Sequence, residues 1–190
     1  MILRGEVLPP EVYGRLRGGV RAAIAAESRV RRVEICPGLR LYFESRQSLW
    51  FHLHELLHAT TWNEDAIREE LVHINKLIPA ERGLVATAAS EEDAYGVGSG
   101  RIGGTWSLRL CGQLVRARDI PLQDIAATPP GVRHLFFRIH PVQALLLKTP
   151  GLEVDVCVES GGRVHWVLLS ESARQTISSD LGVHSAVEAS

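Results

Sequence analysis

The run His54-Glu55-Leu56-Leu57-His58 sets two imidazoles four residues apart with a carboxylate between them. On a helix this spacing puts both rings on one face, one turn apart, where their nitrogens can grip a single ion at about 2.0–2.1 Å. Glu55, beside that face, could polarise a metal-bound water and so act as a catalytic acid or base. A helical wheel over 48–60 gathers Leu49, Leu53, Leu56, Leu57 and Thr60 into the apolar face. His54 and His58 fall at one border of it and His52 near the other, so His52 is expected to pack or face solvent rather than join the same ion.

The next helix, 63–78, offers further ligands. Its apolar face holds Ile67, Leu71, Ile74, Leu77 and Ile78, and Glu70 falls among them. A carboxylate there needs a partner. Counting outward from the turn sets Glu70 near the level of His54, which gives a metal set of His54, His58 and Glu70, with His73 as substitute or fourth ligand. The same residues also read as two Glu-x-x-His pairs, Glu55/His58 and Glu70/His73, the pattern of di-iron bundles. Such bundles need two more helices that each give a Glu, and the rest of the chain reads as β. A zinc peptidase ranks lower still, and haem on one of these histidines stays open. The plain alternative is that the histidines are solvated or hydrogen-bonded and Glu70 pairs with an arginine such as Arg46 or Arg68.

Other residues carry weaker signals. Phe43-Glu44-Ser45-Arg46 ends a strand just before the first of these helices, so Glu44 and Arg46 could line a substrate pocket, or simply pair at the corner. His134, Arg138 and His140 share one face of a strand by period-two alternation. His165 reads as a packed histidine. Gly96-Val97-Gly98-Ser99-Gly100 does not follow a strand and open a helix as a phosphate cradle should. Cys36, Cys111 and Cys157 are too far apart in sequence for a C-x-x-C pair, and a sparse, odd set suits a reducing compartment.

The elements that must position these groups follow from periodicity and turn residues. Residues 9–28 read as helical, with Gly14, Gly18 and Gly19 making two short helices as natural as one. Residues 31–35 and 39–43 alternate around Cys36-Pro37-Gly38 as a hairpin. Ser48 to Thr60 and Asn63 to Ile78 form a helical hairpin, with Asn63 as N-cap and Pro79 as terminator. Strands are expected at 83–89, 105–110, 113–117, 133–140, 152–159 and 163–169. Short helices are expected at 141–148 and 170–181, with a frayed tail at 183–190. The fold class is α+β: N-terminal helices and a helical hairpin packed on a mostly antiparallel sheet of a kind that can close into a barrel. One domain is expected over 1–190, helix-rich at 9–79, strand-rich at 83–169, closed by the helix at 170–181.

A net charge of -1 over 190 residues, with no basic or acidic tail, argues against nucleic acid as a partner. No segment approaches the roughly 18 consecutive apolar residues of a membrane span, and Met1 to Pro10 lacks a signal-peptide pattern. The expected setting is cytoplasmic.

Tyr13-x-Arg15, Arg31-Arg32-Val33-Glu34, Phe43-Glu44-Ser45-Arg46, Glu55-Leu56-Leu57, Glu69-Glu70-Leu71 and Asn75-Lys76-Leu77-Ile78-Pro79 together resemble the bacterial family called domain of unknown function 3501. The likeness runs along nearly the whole chain and is clearest from Tyr13 to Ala89. Genes of this family often lie beside rubrerythrin-like and iron–sulfur oxidoreductase genes, so the resemblance implies a redox or iron setting by association. His54 and His58 depart from the Gln and Arg usual around that Glu. Two expectations follow. One is a metal-dependent enzyme of redox type on a small-molecule substrate, with iron first and zinc or haem as alternatives. The other is a non-catalytic accessory or small-molecule-binding protein that works with a redox partner.

Overall fold

The computed structural model describes residues 1–60, 62–78, 81–90, 103–121 and 131–181. The Gly-rich stretch at 96–100, Pro79 and the tail at 183–190 lie outside the described residues.

A short 3-10 turn, Arg4–Glu6, precedes α1 (Pro10–Arg31), a 22-residue helix that opens with proline in its first turn. Sequence reading allowed two helices here, and the structure has one. Each interior glycine costs a helix roughly 1 kcal/mol relative to alanine. The long run of Arg, Leu and Ala around them is strongly helix-forming, and Tyr13 and Arg17 are both anchored to the Glu55 side chain.

α1 runs directly into β1 (Arg32–Cys36), which pairs with β2 (Leu39–Phe43) through a turn at Gly38, φ 81°. Next come α2 (Arg46–Ala59) and α3 (Glu64–Lys76). Ser45 caps α2 through Ser48 N–H, and the expected Asn63 cap of α3 accepts from Ala66 N–H at 2.8 Å. The strands that follow are β3 (Gly83–Ser90), β4 (Thr105–Leu110), β5 (Gln113–Asp119), β6 (Val132–Arg138), β7 (Val154–Ser160) and β8 (Arg163–Leu168). α4 (Pro141–Lys148) lies between β6 and β7, and α5 (Glu171–Asp180) follows β8.

The eight strands form one antiparallel sheet in the order β1-β2-β3-β6-β5-β4-β7-β8. It curls until β1 and β8 approach, nearly closing a barrel, although no hydrogen-bonded ladder joins those two edges. The fold is α+β, as the sequence patterning implies. Alternating residues point inward: Leu39, Leu41 and Phe43 from β2, Leu84, Ala86 and Ala88 from β3, Leu135 and Phe137 from β6, and Trp106, Leu108 and Val156 from the far side. A second apolar cluster joins α2 and α3 to the N-terminal segment through Ile2, Val7, Leu53, Leu57, Ile67 and Ile74. No helix among the described residues is long and apolar enough to cross a membrane.

The alternation leaves Tyr42, Thr87 and His134 on the outer sheet face. Register makes them one row, Tyr42 opposite Thr87 and Thr87 opposite His134.

Candidate functional site

The His54–His58 run is helical as expected, but its side chains are already occupied. His54 is fully buried. Its Nε2 accepts from the Leu8 backbone N–H at 3.0 Å, and its Nδ1 lies 2.8 Å from the Trp50 carbonyl. Since a backbone N–H can only donate, Nε2 carries the lone pair and Nδ1 the hydrogen, which it donates to Trp50. The ring is stacked between Trp50, centroid at 3.9 Å, and Tyr13, at 4.8 Å. Burial pushes its pKa down. No nitrogen of His54 is left to hold an ion.

Glu55 is equally committed. Arg17 grips it with Nε at 2.7 Å and Nη2 at 2.9 Å, and Tyr13 Oη donates at 2.8 Å. The Arg17 hydrogen bonds lead in holding its carboxyl down at about 2, which makes it a poor base. His58 is exposed beside the edge of the Tyr13 ring. The motif therefore clasps α1 and the N-terminal segment onto α2, and the catalytic role expected of Glu55 does not fit its surroundings. The expected pairing of His54 and His58 with Glu70 is not what surrounds Glu70.

Glu44 and Arg46 part company at the corner they share. Arg46 Nη2 turns back to the Glu6 carboxylate at 2.6 Å and the Met1 carbonyl at 3.0 Å, so it secures the N-terminus. Glu44 faces the outer sheet row. Its Oε1 accepts from Thr87 Oγ1 and its Oε2 from Ser48 Oγ, both at 2.6 Å. The carboxylate keeps a partly accessible edge, yet protein crowds it closely, and burial pushes its pKa up. Thr87 Oγ1 is also 3.0 Å from His134 Nδ1.

Glu70 and His73 keep the shared face that helical spacing gave them, with His73 Nδ1 3.8 Å from Glu70 Oε2. That oxygen is buried and has no hydrogen-bond partner. Burial raises the Glu70 pKa, and the charge it feels from α2 is that of His52. His52 itself shows an exposed edge, but the surrounding protein lowers its pKa, helped by the charge of His73. His134 is held down to about 4, first by burial and then by the nearness of His52 and His73. The cluster thus spans α2 (His52), α3 (Glu70, His73), β6 (His134) and the Glu44–Thr87 corner. Among the described residues, no three His, Cys, Asp or Glu side chains stand close enough to share an ion as placed.

Sequence reading named Glu44, Glu70, His73 and His134 but set His52 aside and missed Thr87. The wheel did turn His52 away from His54. His52 is exposed, as expected; what the wheel could not show is that its charge reaches Glu70 on α3 and His134 on β6. Thr87 was legible only as a polar residue alternating with Leu84, Ala86 and Ala88.

Similarity to known proteins bears on fold and family. No curated protein matches the chain. A crystal structure of a "novel protein of unknown function" from Burkholderia pseudomallei K96243 superimposes with a TM-score of 0.80 at 24% identity, covering 94% of this chain and 98% of the other. It shares the fold. The family model described as "Protein of unknown function (DUF3501)" matches residues 1–97, from the N-terminal turn through β3, and so takes in Glu44, His52, Glu70, His73 and Thr87. By that match over half its length, the chain belongs to the DUF3501 family.

Proposed function

We propose that this protein is an enzyme acting on a small molecule at the polar cluster between α2, α3 and the outer face of β3 and β6, with a divalent metal ion as cofactor. The observation that carries the proposal is the Glu70 carboxylate oxygen, buried without a partner beside His73 and within the field of His52. A buried carboxylate oxygen without a hydrogen bond is costly, and a cation would relieve it. Both histidines are held toward the neutral form, the one a metal requires. Two imidazoles and one carboxylate are a donor set that suits iron(II) or zinc. Iron comes first on the genomic company of the family alone, an associational argument. When bound, such an ion would act as a Lewis acid or redox centre. The chain's own residues would hold it through Glu70 and His73 from one turn of α3 and His52 from α2.

A second reading has an observation of its own. Among the described residues, no three ligands converge. That favours a metal-free small-molecule-binding or accessory protein, in service of a redox partner.

Metal analysis of untagged protein from iron-supplemented culture separates the two. The enzyme reading expects near-stoichiometric iron or zinc, with affinity falling about tenfold or more in Glu70→Gln. Wild-type protein without metal above trace would sink the metal proposal and leave the binding reading. Full occupancy in Glu70→Gln would place the ion elsewhere, and a Soret band would make the cofactor haem.

A further inference from the structure

Glu44 is a half-buried carboxylate that faces no cation at hydrogen-bonding distance among the described residues. It accepts instead from two hydroxyls, Thr87 and Ser48. One of those hydroxyls continues to an imidazole. The bond lengths, 2.6 Å from Thr87 to Glu44 and 3.0 Å from Thr87 to His134, make a continuous chain from carboxylate to ring. A threonine hydroxyl has one hydrogen, so the chain has a direction. With Glu44 ionised, Thr87 donates to it and must accept from His134. His134 therefore carries its hydrogen on Nδ1 and a lone pair on Nε2. That Nε2 has no hydrogen-bond partner among the described residues, on a ring that is half-buried rather than sealed in.

We infer that Glu44, Thr87 and His134 form a proton relay whose outer end, His134 Nε2, is the general base that takes a proton from a weakly acidic small molecule bound at the cluster. The inference rests on the cluster being the functional site, but not on any metal. Its balance is simple. The bond from the substrate's acidic atom to hydrogen breaks and an Nε2–H bond forms. The Nδ1 hydrogen passes to Thr87 Oγ1, and the Thr87 hydrogen passes to Glu44 Oε1. One negative charge leaves Glu44 and appears on the substrate, and no oxidant or reductant is needed. The reverse sequence returns a proton to product.

Two features favour the transfer. The carboxylate sits where burial already favours its neutral form, so accepting the proton relieves a desolvated charge. His134 itself never needs to carry a full positive charge, which its surroundings disfavour: burial first, then His52 on α2 and His73 on α3. His134 is the catalytic residue of this scheme, while Thr87 and Glu44 position and load it. Thr87 and His134 lie on adjacent strands in fixed register, and Glu44 extends β2 through its N–H to the Val85 carbonyl at 2.9 Å, so the chain is built on the sheet.

The test is the protonation pattern of His134 and the reactivity of its free nitrogen. Nitrogen-15 imidazole spectra of the wild-type protein at neutral pH should show the Nδ1–H tautomer for His134. Diethyl pyrocarbonate, followed on the peptide that carries His134 by mass spectrometry, should acylate Nε2. Thr87→Val keeps the shape but removes the hydroxyl. It should shift the ring toward the Nε2–H tautomer and slow acylation about five- to tenfold, roughly the weight of one hydrogen bond. Thr87→Ser should restore both. An Nε2–H tautomer in wild type, or equal acylation rates in wild type and Thr87→Val, would overturn the relay. A spectrum of the wild type alone decides the tautomer, so the inference stays open to refutation even if a variant folds poorly. Loss of the relay with metal retained, or the converse, would show which of the two readings has failed.

Discussion

His54→Ala is expected to destabilise the protein by about 2–4 kcal/mol and to leave any bound metal in place. The imidazole is fully buried and stacked on Trp50, so truncation opens a cavity among aromatic rings. It also strips the partner from the Leu8 N–H, which holds the N-terminal segment against α2. His58→Ala, four residues on and exposed, should change stability by no more than about 0.5 kcal/mol. Urea unfolding of the two variants side by side measures the difference. Equal stability with loss of metal in both would restore the interhelical site that the motif first suggests.

Arg31→Met should cost about 2–3 kcal/mol. Arg31 is buried at the end of α1, with Nη1 and Nη2 at 2.6 and 3.1 Å from the two carboxylate oxygens of Asp180, at the end of α5. Breaking a buried pair from one side leaves the other charge stranded, which commonly costs about 3–5 kcal/mol. Asp180 keeps some contact with solvent, 29% of its side chain, and that trims the loss. Because α1 leads straight into β1 and α5 follows β8, this pair spans the junction between β1 and β8, which no ladder joins among the described residues. Amide exchange should therefore accelerate first in β1 and β8 of the variant. Uniform acceleration across all strands would show that Arg31 contributes only generally.

Local pattern was enough for most of the architecture. Alternation located the strands, the Cys36-Pro37-Gly38 turn marked the first hairpin, and the Asn63 cap marked the start of α3. The site was legible only in part, because its decisive contacts are distant in sequence. A wheel reports which residues share a face of α2, and not that Leu8 N–H or Arg17 will meet that face. The pairing of Glu70 with an arginine, the plain expectation, also fails among the described residues, since Arg46 is drawn off by Glu6 and Arg68 by Asp65. Glu70 is left with the discomfort that its apolar neighbours foretold. Thr87 acquires a role only once β2, β3 and β6 are in register, and no period within one strand carries that register.

The Arg31–Asp180 pair joins residues 149 apart in sequence. Barrel closure is consequently a late event in the life of the chain. The clasp between Arg31 and Asp180 cannot form until α5 has been synthesised, and contacts of such long sequence separation slow the folding reaction. Until then the β1 edge lacks even the clasp that draws β8 toward it, and the nascent chain is most exposed to mispairing during the interval before α5 emerges.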